Sequence, residues 1–112
     1  MTKQDFLVKV EFDIKELFYL CRDANRSGVK LVLVEGILSY KEHFENCKAV
    51  TTADDPKIKS FIAYTLDAFT LLCGVALGHE GSVSGFFDIL SRMEEIRREY
   101  EPKEEQNREY YN

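Results

Sequence analysis

The chain contains no tryptophan, only two prolines and only six glycines in 112 residues. So few chain breakers exclude a collagen-like or loop-dominated protein and leave long stretches for regular structure. There is no CxxC pair. The cysteines Cys21, Cys47 and Cys73 are odd in number and sit among apolar neighbours, so they read as reduced packing residues and not as a disulfide framework. No phosphate-cradling glycine loop occurs, because Gly78, Gly81 and Gly85 lack the following Lys-Ser/Thr pair, and no GxSxG turn occurs either. An excess of basic charge is also missing. Fifteen Lys and Arg against twenty Asp and Glu give a formal net charge of -5, and nucleic-acid affinity needs clustered cations, so no direct nucleic-acid partner is expected. The opening MTKQDFLVKVEFD has charges throughout where an export signal needs an unbroken apolar run, which makes a cytoplasmic location the expectation.

What is present is apolar material: 45% hydrophobic and 12% aromatic residues, enough for a buried core. The length suits one domain, since domains commonly run to about 100–150 residues. The expected division is a single helical domain over 1–101 and an acidic tail over 102–112. The tail, from Lys103 to Asn112, holds too little apolar content to fold on its own.

Four segments carry helical signals. In the first, Phe6, Leu7, Val10, Ile14, Leu17, Phe18 and Cys21 fall on one side of a 3.6-residue wheel, Thr2 and Asp5 form a cap, and Asn25-Arg26-Ser27-Gly28 supplies an end. A competing pattern runs through the same residues: Phe6, Val8, Val10, Phe12 and Ile14 alternate with charged positions, as in a half-buried strand near 5–12. In the second, Leu31, Val34, Leu38, Lys41 and Phe44 step by three and four, predicting a helix over about Val29 to Lys48. The β-branched Val29, Val32 and Val34, with Gly36 weakening a helix, keep a strand near 29–34 as the alternative.

The third segment has the clearest start. Asp55 accepts from free amides and Pro56 fits the first turn, and the helix runs to about Leu77, stopping at Gly78. Between Lys59 and His79 its ionisable side chains besides Cys73 are Tyr64 and Asp67. A helix apolar nearly all round belongs at the centre. At 17 residues, with Asp67 near its middle, the run from Phe61 to Leu77 is short for a membrane span, so no membrane is expected. After a turn at Gly81–Gly85, Ser84 is the expected cap of a last helix with Phe86, Leu90, Met93, Ile96 and Tyr100 inward and Pro102 at its end. The expected fold is all-α, a small four-helix bundle with a mostly apolar central third helix; the alternative is α+β with the two short strands.

Two classes of function follow. Val8, Phe12 and Tyr19 lie opposite the core stripe of the first helix and would form an exposed apolar strip, the mark of an interface. The paired Tyr110 and Tyr111 in the tail are a candidate docking segment. These point to a non-enzymatic protein-binding protein: an inhibitor, immunity protein, chaperone or regulatory adaptor. Its acidity suits a basic partner, a homodimer being the other expected assembly, and it needs no cofactor. The alternative is a small metal-dependent hydrolase or metal-binding helical protein. His43 and Cys47 share a helical face, and Glu42 and Glu45 flank them. Glu42-x-x-Glu45, with Asp67 on the next helix, resembles part of the ExxE and ExxD pattern by which all-helical pyrophosphohydrolases of the MazG type hold magnesium. The resemblance covers only these short stretches, and Tyr64 stands where the second pair needs an acid. Asp67 also belongs to a stripe with Ala63, Thr70 and Gly74 that reads as the wet edge of the third helix.

Overall fold

A computed structural model describes residues 2–24 and 27–102. They form five helices: α1 Lys3–Asp23, α2 Ser27–Glu45, the single turn α3 Lys48–Thr51, α4 Pro56–Ala76 and α5 Ser82–Glu99. No strand occurs among the described residues, so the strands weighed near 5–12 and 29–34 are both helix. The alternation in the first segment lost because Leu7, Ile14, Phe18 and Cys21 form a buried apolar stripe at helical steps that runs about two turns beyond the alternating stretch.

Local chemistry explains the ends. Thr2 and Asp5 form a reciprocal capping box at α1: the Asp5 N–H donates to Thr2 Oγ1 (3.1 Å) and the Thr2 N–H to Asp5 Oδ2 (3.2 Å). Asp55 caps α4, accepting from the Lys57 N–H at 2.9 Å, with Pro56 in the first turn. The α4–α5 connection turns on Gly78 and Gly81, at φ 77° and 85°, values that a side chain disfavours. Two expected boundaries move. Gly81, not Ser84, is the cap of α5; the Ser84 hydroxyl donates back to the Gly81 carbonyl (3.1 Å) from inside the first turn. Gly28 lies in the first turn of α2 and does not terminate α1, which ends at Asp23 with Ala24 as its cap.

The apolar α4 is the hub, packed against α1, α2 and α5. Nine of its residues are buried: Ile58, Phe61, Ile62, Thr65, Ala68, Phe69, Leu72, Val75 and Ala76. The polar one, Thr65, satisfies its hydroxyl by donating to the Phe61 carbonyl four residues back (2.8 Å). By length and composition α4 would reach across a membrane, but here protein covers much of it. Its edge of Ala63, Asp67 and Thr70 is exposed and Gly74 half-buried. α1 also touches α5, with Phe18 stacked on Phe86 at 4.8 Å between centroids. α2 leans mainly on α4, through Tyr40 and Phe44 against Phe69. All three cysteines are free; Cys21 is buried, which pushes its thiol up to about 11.

Two polar knots join the helices. Glu11 of α1, 3% exposed, receives the Arg97 guanidinium of α5, which also donates to Glu101. Lys15 sits 3.1 Å from Glu11 and 3.3 Å from Glu94 as an ion partner. The second knot gathers the ends of three helices on Asp55, which takes the Tyr100 hydroxyl (2.5 Å) and Lys3 (3.2 Å) besides its own cap bond. The Tyr100 bond first, then the Lys57 amide and Lys3, hold the Asp55 carboxyl down at about 2, while burial and the carboxylate push the Tyr100 phenol up to about 12.

Arg97→Met leaves Glu11 buried with Lys15 alone, and urea unfolding at neutral pH is expected to show a loss of about 3 kcal/mol; adding Glu11→Met should recover most of it. The reverse order, with the double variant weaker than the single, would contradict the pairing. For Asp55 the unfolded chain takes up a proton near 3.8 and the folded chain near 2. The carboxylate therefore contributes stability above the higher value, and loses it as pH falls through that window. Asp55→Asn, which keeps a good cap, is expected to flatten the fall in urea midpoint between pH 4 and 2; an unchanged slope would rule the contribution out.

Candidate interaction surface

Steps of four and seven residues carry Val8, Phe12 and Tyr19 to one side of α1, opposite the buried Leu7, Ile14 and Phe18. They are 46%, 61% and 51% exposed. Exposed Asp5, Glu16 and Asp23 fall along the same side, so the strip is apolar in the middle and acidic along its length. Nearby cations are held in ion pairs. Lys9 binds Asp13 at 3.3 Å and Arg22 binds Asp23 at 3.0 Å while lying 5.0 Å over the Tyr19 ring. Glu16 has no ion-pair partner among the described residues.

The strip continues onto α5. Phe87, which the sequence reading did not single out, is 48% exposed and meets Phe18 edge-on at 5.1 Å, and Tyr19 also meets Phe18 edge-on at 5.8 Å. A shallow cavity of about 330 Å³ lies here, its wall formed by Lys15, Phe18, Tyr19, Phe86, Phe87 and Leu90. The available signal was the Phe86-Phe87 doublet, since neighbours on a helix point about 100° apart and only one of two enters a core.

The second helix departs most from expectation. Leu31 and Leu38, expected inward, are 60% and 53% exposed, as are Val29 (47%) and Val32 (67%). The buried positions are Ile37 and Phe44. Apolar residues at nearly every position from Val29 to Val34 leave the periodicity without a face; contact with Phe69 of α4 selects it instead.

The alternative metal residues are not assembled. His43 and Cys47 do share the wall of a groove of about 400 Å³ between α1 and α2, floored by Phe6, Val10 and Phe44. Glu42 and Glu45 turn to solvent, Glu45 facing Lys41 at 3.7 Å, and Asp67 stands on the exposed edge of α4. Among the described residues no three His, Cys, Asp or Glu side chains converge as an ion requires. Across the same groove the Tyr40 hydroxyl donates to Asp13 (2.8 Å), and burial with that carboxylate pushes the phenol up to about 12. Tyr110 and Tyr111 lie outside the described residues.

Comparison with protein-family models, with curated proteins and with solved structures finds no match to this chain.

Because the strip contributes nothing to the core, Val8→Ser and Phe12→Ser are each expected to change unfolding free energy by no more than about 0.5 kcal/mol, against about 3–5 for Phe18→Ala. A loss of several kcal/mol at Phe12 would show that the strip is packed.

Proposed function

We propose that this chain is a non-enzymatic binding protein, of the kind that acts as an inhibitor, immunity protein, chaperone or adaptor, and that the outer strip of α1 docks a basic partner protein. The exposure of Val8, Phe12 and Tyr19 in one acidic-edged line carries the reading. Three large side chains, each with close to half or more of its surface in water, are a standing unfavourable contact that a partner would relieve, at about 1.5–3 kcal/mol for each side chain fully buried. Aromatic anchors ringed by charge are also the composition that dominates binding energy at protein interfaces. Asp5, Glu16 and Asp23 add direction, since an acidic rim speeds the encounter with a cationic surface and disfavours an acidic one.

In affinity isolation from source cells, the wild-type chain is expected to retain a basic protein more weakly as salt is raised. The triple variant Val8→Ser, Phe12→Ser, Tyr19→Ser should bind that protein at least tenfold less tightly with its melting temperature unchanged. Equal affinity of the triple variant would refute docking at this strip.

A further inference from the structure

The groove between α1 and α2 is separate from the docking strip, since none of Val8, Phe12 and Tyr19 lines it. Its floor is apolar. Phe6 of α1 and Phe44 of α2 lie nearly parallel there, 11° apart with ring centroids at 6.1 Å, and Val10 extends the floor along α1. At about 400 Å³ the hollow falls within the roughly 300–1,000 Å³ of small-molecule sites, so it is sized for one small ligand.

The rim decides which ligand. Asp13 is engaged twice, by Lys9 at 3.3 Å and by the Tyr40 hydroxyl at 2.8 Å, so neither that carboxylate nor Lys9 is left to face a guest. Lys48 is different. It lines the same groove with no ion-pair partner among the described residues, and Glu45, the acid before it in the chain, faces Lys41 instead. With His43 neutral, the charged groups on the lining are Lys9, Asp13 and Lys48, one net positive charge on a chain whose total is -5. Such an edge repels a cation and complements a single negative charge.

We propose that this groove binds a small monocarboxylate with an apolar body, the body lying on Phe6, Val10 and Phe44 and the carboxylate paired with Lys48. Apolar burial supplies most of the affinity. The ion pair is open to water and adds less, so its part is to orient the ligand and to choose its charge. A dianion exceeds the single net charge of the rim and meets Asp13, whereas a cation of the same shape meets Lys48. Cys47, half-buried in the same wall, becomes covered when the groove is filled and so reports occupancy.

Sodium octanoate titrated into the full chain tests this, followed by amide NMR shifts and by the rate of iodoacetamide alkylation at each cysteine, read by peptide mapping. The wild type is expected to saturate at one site, with shifts centred on Phe6, Val10 and Phe44. Alkylation of Cys47 should slow at least threefold at saturation while that of Cys73, outside the groove, is unchanged. Octyltrimethylammonium, with the same alkyl length and the opposite charge, should bind at least tenfold more weakly. Lys48→Glu should weaken octanoate about fivefold or more, the modest effect of reversing an exposed charge. Ala49→Trp, which fills the rim from an exposed position, should abolish binding, and both variants should keep the wild-type melting temperature. Val8→Ser with Phe12→Ser should leave octanoate affinity within twofold. Failure of octanoate to saturate overturns the proposal, as does equal binding of the ammonium analogue or undiminished affinity in Lys48→Glu. Saturation that leaves Cys47 alkylation at its free rate overturns it too, because the ligand then sits elsewhere. The α1 docking reading is untouched by these outcomes and is decided by its own triple variant.

Discussion

Everything in this fold hangs on the burial of α4. A 21-residue helix that is apolar on nearly every side cannot be satisfied by one neighbour, and α1, α2 and α5 are all drawn onto it. That arrangement has a cost elsewhere. Three amphipathic helices set around one hub each turn a single face inward, and no further long helix among the described residues covers their backs. The exposed Val8, Phe12, Val29, Leu31, Val32 and Leu38 are the consequence. The molecule is correspondingly thin, 20 Å along its shortest axis against 47 Å along its longest.

The polar interactions grade this scaffold. Around α1, α4 and α5 the apolar contact is reinforced by the Glu11–Arg97–Glu101 chain, Lys15 between Glu11 and Glu94, and the convergence of Lys3 and Tyr100 on Asp55. Glu11 and Arg97 are sheltered enough for their partnership to matter, whereas Lys57–Glu99 at 2.8 Å, half exposed on both sides, contributes little. α2 is tied across to α1 by Tyr40 and Asp13. Local opening free energies follow burial and bonding, so α2 is the element best able to move or be re-covered without disturbing the remaining three.

Much of this was legible in the residues. Thr2 with Asp5 and Asp55 with Pro56 announced two helix starts because capping is local chemistry, and the near absence of charge from Lys59 to His79 announced the hub. The strip of Val8, Phe12 and Tyr19 followed from the same wheel that placed Leu7 and Ile14 inside. The rest depended on tertiary contact. Glu11 looks like any surface acid until Arg97, 86 residues away, is seen against it. Leu31 and Leu38 faced outward because a run apolar at almost every position encodes burial without encoding direction. Spacing alone grouped Glu42, His43, Glu45, Cys47 and Asp67; in the structure the first four share the end of α2 and its exit, and Asp67 lies on an exposed edge of α4. The four-residue α3 is too short to leave a periodic signal.

The proposed binding role rests on one arrangement: a chain that hides one helix and leaves the backs of others exposed. Native-state hydrogen exchange on the wild-type chain tests it most directly. If α4 is the hub, its amides between Ile62 and Val75 exchange slowest, at the free energy of global unfolding, and α1 and α5 amides facing it come next. Slowest exchange in α1 or α2, with α4 opening early, would contradict it.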